Sequence, residues 1–263
     1  MGVLAADANA GRVALVTGGG TGIGRATGLA LARTGARVAV CGRREELLAA
    51  TSAELEALGA ECLAVSADVR EPEDRERVLQ STLERFGRVD VLVNNAGGQF
   101  IARAQEISDN GWRAVHRLAV DAAWSLTREV ATRAMIPAGR GVVVFIGFSP
   151  RRGMPGMAHA AAARAALENL AGSLSSEWGR YGIRAVCVAP GTILTEGLEQ
   201  YGPERIAEWE RAVPLGRLGR PEDVATVIAF LASDGGAYVS GTTVVVDGGS
   251  DAWGLAGYPP DGR

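Results

Sequence analysis

The chain has 263 residues, a formal net charge of −3 and 47% hydrophobic residues, with 36 glycines among them. It has no basic stripe to hold nucleic acid and no apolar stretch of membrane-spanning length, which sets both classes aside. The length suits one large domain with a sizeable core.

Residues 1–10 lack positive charge and include Asp7, which speaks against a signal peptide. They read as a short extension ahead of a domain spanning 11–250. The run Val13-Ala14-Leu15-Val16 predicts a buried strand over 13–17, and Thr17-Gly18-Gly19-Gly20-Thr21-Gly22-Ile23-Gly24 turns it directly into a helix over 23–33. Glycines allow a tight turn and close approach of a ligand, and the helix N-terminus offers free N–H groups and partial positive charge. That combination predicts a pyrophosphate cradle, in the spacing T-G-x-x-x-G-x-G.

Further strand-like runs lie at 37–41, 62–67, 89–94, 141–146, 184–189 and 243–247. Helical periodicity covers 45–58, 73–86, 107–134, 158–178, 204–212 and 221–232. Seven strands that are apolar throughout imply a sheet covered on both faces: a single-domain, doubly wound α/β fold with a parallel seven-stranded sheet. Residues 191–216 read as a substrate lid, lined by Leu194, Leu198, Tyr201, Ile206 and Trp209. Residues 251–263, with Pro259-Pro260, read as an irregular tail that folds over a neighbouring subunit. Helices 107–134 and 158–178 are too apolar around their circumference for one sheet face to cover, which predicts pairing across a two-fold axis. Cys41, Cys62 and Cys187 show neither CxxC nor metal-ligand spacing and read as reduced thiols of a cytoplasmic protein, with no metal site.

The glycine turn, Asn94-Asn95-Ala96-Gly97, Pro190-Gly191 and Asp247-Gly248-Gly249 occur in that order. Over about residues 11–250 the chain therefore resembles the short-chain dehydrogenase/reductase superfamily, whose fold is Rossmann-type. The segments Asn95-Ala96-Gly97-Gly98-Gln99-Phe100, His159–Ala165 and Ser176-Glu177-Trp178-Gly179 look like its trans-2-enoyl-CoA and 2,4-dienoyl-CoA reductases. The resemblance implies that Gly18, Gly20, Thr21 and Ile23 hold the pyrophosphate and Asp68-Val69 the adenine. It implies that Asn95, Ala96 and Gly97 form the floor beneath the ribose, that Ile193 and Thr195 meet the nicotinamide, and that the assembly is a homotetramer or homodimer. Where an acidic residue would hold the ribose 2′-hydroxyl of NAD, the chain has Arg43-Arg44, which favours a 2′-phosphate and hence NADP(H).

Catalysis is where the chain departs from that superfamily. All 27 Lys and Arg positions are arginine, so a Tyr-x-x-x-Lys pair is absent. In the classical register its two positions are Ala160 and Arg164, while in that of the enoyl-CoA reductases they are Glu168 and Gly172. The family's serine falls near Gly147–Ser149, and its helix asparagine on Ala119 or Asp121. The expected catalytic groups are His159, able to donate to an enolate or deliver a proton, Arg164, able to bind but not to transfer a proton, and Ser149. Reduction of an activated C=C beside a thioester is the expected reaction, because donors aimed at the thioester oxygen can carry the stabilisation without a strong acid. A carbonyl reductase or alcohol dehydrogenase, and a redox-silent binding protein or non-redox catalyst on the same fold, stay open as alternatives.

Overall fold

The first strand, β1 (Val13–Thr17), shows why these runs carry no polar face. Val13 and Leu15 belong to one core and Ala14 and Val16 to a second core across the sheet, all four fully buried. A strand sandwiched between helical layers loses water on both faces, so alternation gives way to a continuous apolar run. The computed structural model describes residues 4–149, 151 and 153–253. Six more strands follow: β2 (Arg37–Gly42), β3 (Cys62–Ser66), β4 (Val91–Asn94), β5 (Gly141–Ile146), β6 (Ile183–Pro190) and β7 (Thr243–Val246). They pair in parallel, in the spatial order β3-β2-β1-β4-β5-β6-β7.

Among the described residues ten helices alternate with the strands: α1 (Gly22–Arg33), α2 (Glu45–Ala57), α3 (Pro72–Phe86), α4 (Asp109–His116), α5 (Ala122–Val130), α6 (Ile136–Ala138), α7 (Ala158–Trp178), α8 (Pro203–Arg211), α9 (Pro221–Ala232) and α10 (Ser250–Trp253). Leu29 and Leu31 of α1, Leu48 and Leu55 of α2, and Val224 and Ile228 of α9 build one core. Val78 and Leu79 of α3, Leu126 and Val130 of α5, and Leu167 and Leu174 of α7 build the other. The doubly wound fold is therefore as expected, and 158–178 and 221–232 coincide with α7 and α9.

Three details differ. The single helix expected over 107–134 runs from Asp109 to Ala138, with π-helical turns at Arg117–Asp121 and Ala131–Met135. Ser108 sets its start by accepting a hydrogen bond from the Gly111 N–H at 3.1 Å, and Gly139, at φ 64°, sets its end. β3 and β7 are not covered on both faces: Ala64 and Ser66 are exposed and β7 is half-buried, because both strands lie at sheet edges. Before β1, the Asn9 side chain is fully buried and donates to Thr34 Oγ1 (2.9 Å) and the Ala229 carbonyl (3.0 Å), fastening that segment to α1 and α9. Pro259-Pro260 and the rest of 254–263 lie outside the described residues, and no described helix is long and apolar enough to cross a membrane.

The order of the strands matters most between β1 and β4. There the winding reverses, and the helices that follow the two strands leave to opposite faces. A crevice opens beyond the carboxyl ends of the strands at such a switch point.

Candidate active site

The crevice is built first from backbone. Gly18 sits at φ 65°, and a Cβ on Gly24 would lie 2.2 Å from the Gly18 carbonyl oxygen and 2.5 Å from Asn95 Nδ2. Only glycine lets α1 start this close to the turn. The Thr17 hydroxyl joins the turn to the loop after β4, accepting from the Asn95 N–H (3.0 Å) and the Ala96 N–H (2.9 Å). Asn95 Nδ2 donates to the Thr17 carbonyl at 2.9 Å. Among the described residues no side chain caps the start of α1 and no acidic residue lies in its first turn, which leaves its first N–H groups to the cleft. This is a cradle for an anion, and a pyrophosphate fits it.

The cleft has a volume of about 610 Å³. Gly18, Gly20, Thr21, Ile23, Arg43, Arg44, Asp68, Val69, Asn95, Ala96, Gly97 and Thr195 all line it, as does Arg164. Ile193 does not: it is buried in a bridge to Gly219. Arg43 and Arg44 are exposed and pair with no carboxylate among the described residues, while Arg44 Nη2 reaches Thr21 Oγ1 at 3.4 Å. Asp68 is held by Arg70 (Nε···Oδ1 2.9 Å), whose guanidinium keeps its carboxyl below the usual carboxylate range. Thr195, at the start of the lid, packs on the glycine turn, its Cγ2 3.1 Å from where a Cβ on Gly22 would stand.

Arg164 is buried and donates from Nη1 to the Ile146 carbonyl at 2.6 Å. Its guanidinium lies beside Gly97, with Nη2 2.0 Å from where a Cβ on that residue would be, so a side chain at 97 would require the guanidinium to shift. Burial pulls its pKa down from the ordinary arginine value, and no carboxylate opposes that effect. The classical register thus coincides with the cleft. In the other register Glu168 accepts instead from Thr243 Oγ1 at 3.0 Å, and Gly172 lies by Gly241.

Ser149 and His159 lie outside the cleft wall. Ser149 is buried, its hydroxyl donating to Asp247 Oδ2 at 2.5 Å. His159 is fully buried in the first turn of α7, its ring 4.2 Å from that of Phe100, and neither ring nitrogen has a hydrogen-bond partner among the described residues. Desolvation, and secondarily the charge of His116, lowers its pKa, so the imidazole is neutral at pH 7. Ala119 and Ala160 are buried and carry no polar atom in their side chains. Cys41 and Cys187, each pushed up to about 12 by burial, are inert thiols.

Sequence reasoning missed Ile146 and Leu118, which line the cleft, and the tilted contact of the Phe100 ring with His159. Ile146 contributes a carbonyl at a strand end, which side-chain identity does not reveal. Phe100 stands inside a segment already singled out, but its aromatic partner lies 59 positions along the chain.

A family model described as enoyl-(acyl carrier protein) reductase matches residues 18–251. The probable 2,4-dienoyl-CoA reductase of Bacillus subtilis (strain 168) is 35% identical, over 94% of this chain and 98% of its own length. The peroxisomal 2,4-dienoyl-CoA reductase of Arabidopsis thaliana is 37% identical, over 92% of this chain and 85% of its own. Among solved structures, a candidate NAD(P)-dependent gluconate 5-dehydrogenase from Beutenbergia cavernae, with NADP bound at low occupancy, is 39% identical. It superposes with a TM-score of 0.86 over 92% of this chain and 98% of its own. With the switch-point crevice, the glycine cradle and these matches in agreement, the chain belongs to the short-chain dehydrogenase/reductase superfamily of oxidoreductases.

Proposed function

We propose that the protein is an NADP(H)-dependent reductase of an activated C=C bond, in an enoyl thioester or a related enone. The observation that carries this reading is the buried guanidinium of Arg164 in a cleft whose other walls are the predicted dinucleotide contacts. Bound there, the nicotinamide supplies a hydride. The chain's residues do the rest. The α1 N-terminus and the glycine turn hold pyrophosphate, Arg43 and Arg44 take the 2′-phosphate, and Arg164 fixes an oxygen of the substrate or ribose. Ser149, tied to Asp247, keeps the loop after β5 in place.

His159 is the proposed donor toward the carbonyl oxygen of the substrate. A neutral imidazole keeps one N–H, and an unpartnered buried N–H gains more from an oxygen than one already satisfied. Phe100 has to move off the ring for this contact to form. The relatives named as dienoyl-CoA reductases support an acyl thioester as substrate. The missing Tyr-x-x-x-Lys pair favours a second reading, a redox-silent family member. NADPH consumption with an enoyl thioester, with a ketone, or with neither separates enoyl reductase, carbonyl reductase and redox-silent protein.

The exposed Trp112 and Trp124 on the α4–α5 column and the exposed alanines Ala162, Ala165 and Ala166 on α7 support assembly as a homodimer or homotetramer. The three free cysteines fit a cytoplasmic location.

Three outcomes are expected. NADPH binds roughly tenfold more tightly than NADH, the low end for a charge-assisted contact because Arg43 and Arg44 are exposed. Thermal shifts at matched cofactor concentrations measure this, and equal shifts would contradict it. His159→Ala lowers kcat with an enoyl thioester by roughly 10²-fold at unchanged NADPH affinity, whereas Arg164→Ala weakens binding; wild-type rates in both variants would move the chemistry elsewhere. Light scattering at micromolar concentration gives the mass of a dimer or tetramer, and a monomer would refute the assembly.

A further inference from the structure

In a parallel sheet all strands begin at one edge, so groups at the starts of neighbouring strands meet there however far apart they lie in the chain. Arg12 precedes β1, Arg88 and Asp90 precede β4, Arg140 precedes β5, and Arg184 is the second residue of β6. These four strands are neighbours in the order β1-β4-β5-β6. Their starts wall a cavity of about 700 Å³, at the opposite edge of the sheet from the cofactor cleft and comparable to it in size.

The charges of this wall do not balance. Four arginines line the cavity against two carboxylates, Asp90 and Asp234, an excess of two positive charges. Asp90 is shared: it pairs with Arg88 and with Arg140 (Nε···Oδ1 3.4 Å), and its Oδ2 also accepts from the Val13 N–H at 2.9 Å. Asp234, almost wholly exposed, pairs with Arg12. Arg184 pairs with no carboxylate among the described residues and donates to two neutral acceptors, the Leu231 carbonyl (2.6 Å) and the Val239 carbonyl (3.1 Å). Burial, and then the charge of Arg12, pulls its pKa below the ordinary arginine value against the opposing charge of Asp234. A guanidinium partly withdrawn from water and facing a like charge gains more from an anion than an exposed one does.

Neutral donors complete the wall. Ser175 Oγ and Ser240 Oγ lie 2.7 Å apart, and Ser240 Oγ also accepts from the Ala185 N–H at 3.2 Å. One of these hydroxyls donates to the other, which leaves the second O–H for a ligand. Arg88 Nε is buried and has no hydrogen-bond partner among the described residues. Val142 and Ile183, the larger aliphatic side chains of the wall, are buried and offer no surface to a hydrocarbon tail. Four strand starts at sheet spacing spread the charges over roughly 15 Å. Guanidinium and hydroxyl donors so arranged suit tetrahedral oxyanions, which accept from several directions at once.

We infer that this cavity is a second anion site, separate from the cofactor cleft, and that it takes a phosphate or pyrophosphate group, free or as a phosphate ester. It stands on residues that the proposed reduction does not use, so it holds or fails independently of that reading.

Thermal shift of the NADPH-saturated protein at constant ionic strength tests this, with sodium pyrophosphate and glucose 6-phosphate as probes and sodium chloride as the control. NADPH keeps the probes out of the glycine cradle. The expected result is that at least one phosphate probe raises the midpoint beyond chloride. Arg184→Gln and Arg140→Gln each weaken its apparent affinity at least about fivefold, whereas Arg44→Gln, in the cofactor cleft, leaves it unchanged. An effect of glucose 6-phosphate assigns a phosphate ester as the ligand, and an effect of pyrophosphate alone assigns the inorganic anion. No shift beyond chloride with either probe, or a shift undiminished in Arg140→Gln, overturns the inference. A shift reduced as much by Arg44→Gln as by Arg140→Gln overturns it too, because the anion then sits in the cradle. If Arg184→Gln does not fold, Arg140→Gln decides: the Arg140 side chain is 60% exposed, and its loss leaves Asp90 paired with Arg88.

Discussion

The site depends on one buried charge. Arg164 enters the cleft from α7, donates to the last carbonyl of β5 and places its guanidinium beside Gly97. Three elements therefore meet at it: the helix, the strand end and the Asn95–Gly97 loop. That loop is in turn fastened to the glycine turn through the Thr17 hydroxyl and the Asn95 amide. Lysine in the same place would be a flexible point charge, whereas arginine is a planar fork that stays protonated even when burial opposes it. The replacement therefore alters what the pocket can bind as well as what it can catalyse.

Loss of the phenol acid is weighed against this electrostatics. A positioned acid contributes about 10²–10⁴-fold, and a preorganised donor at a developing oxyanion about 10²–10³-fold. A site that forgoes the first can remain effective where charge accumulates on an oxygen and the proton arrives later at carbon. Conjugate reduction has that character and ketone reduction does not. The imidazole of His159 is buried beside Phe100 with no hydrogen-bond partner among the described residues, which is what makes it the proposed donor.

The doubly wound architecture was legible because continuous apolar strands and amphipathic helices have distinct periods, and the ends of α7 and α9 agreed with their patterns to the residue. The cradle was legible because glycine has few reasons to recur at that spacing between a strand and a helix. The edge strands β3 and β7 were harder to read, since an apolar run looks the same whether one face or two are covered. The π-turns within 109–138 leave no mark in side-chain periodicity that a short window resolves. At the site, the isolation of Arg164 and of His159 could not be read at all. Whether a polar group has a partner is decided by residues distant in the chain, such as Ile146 and Phe100.

The central claim is that a site with Arg164 in place of the Lys and no catalytic Tyr still delivers a hydride to an activated alkene. Its most direct test is a single-turnover reaction of the protein with NADPH deuterated at the nicotinamide 4-position and an enoyl thioester, read by mass spectrometry of the product. The account predicts one deuterium at the β-carbon of the saturated thioester. NADPH bound at the site with no label transferred to an enoyl thioester, an enone or a ketone would contradict it.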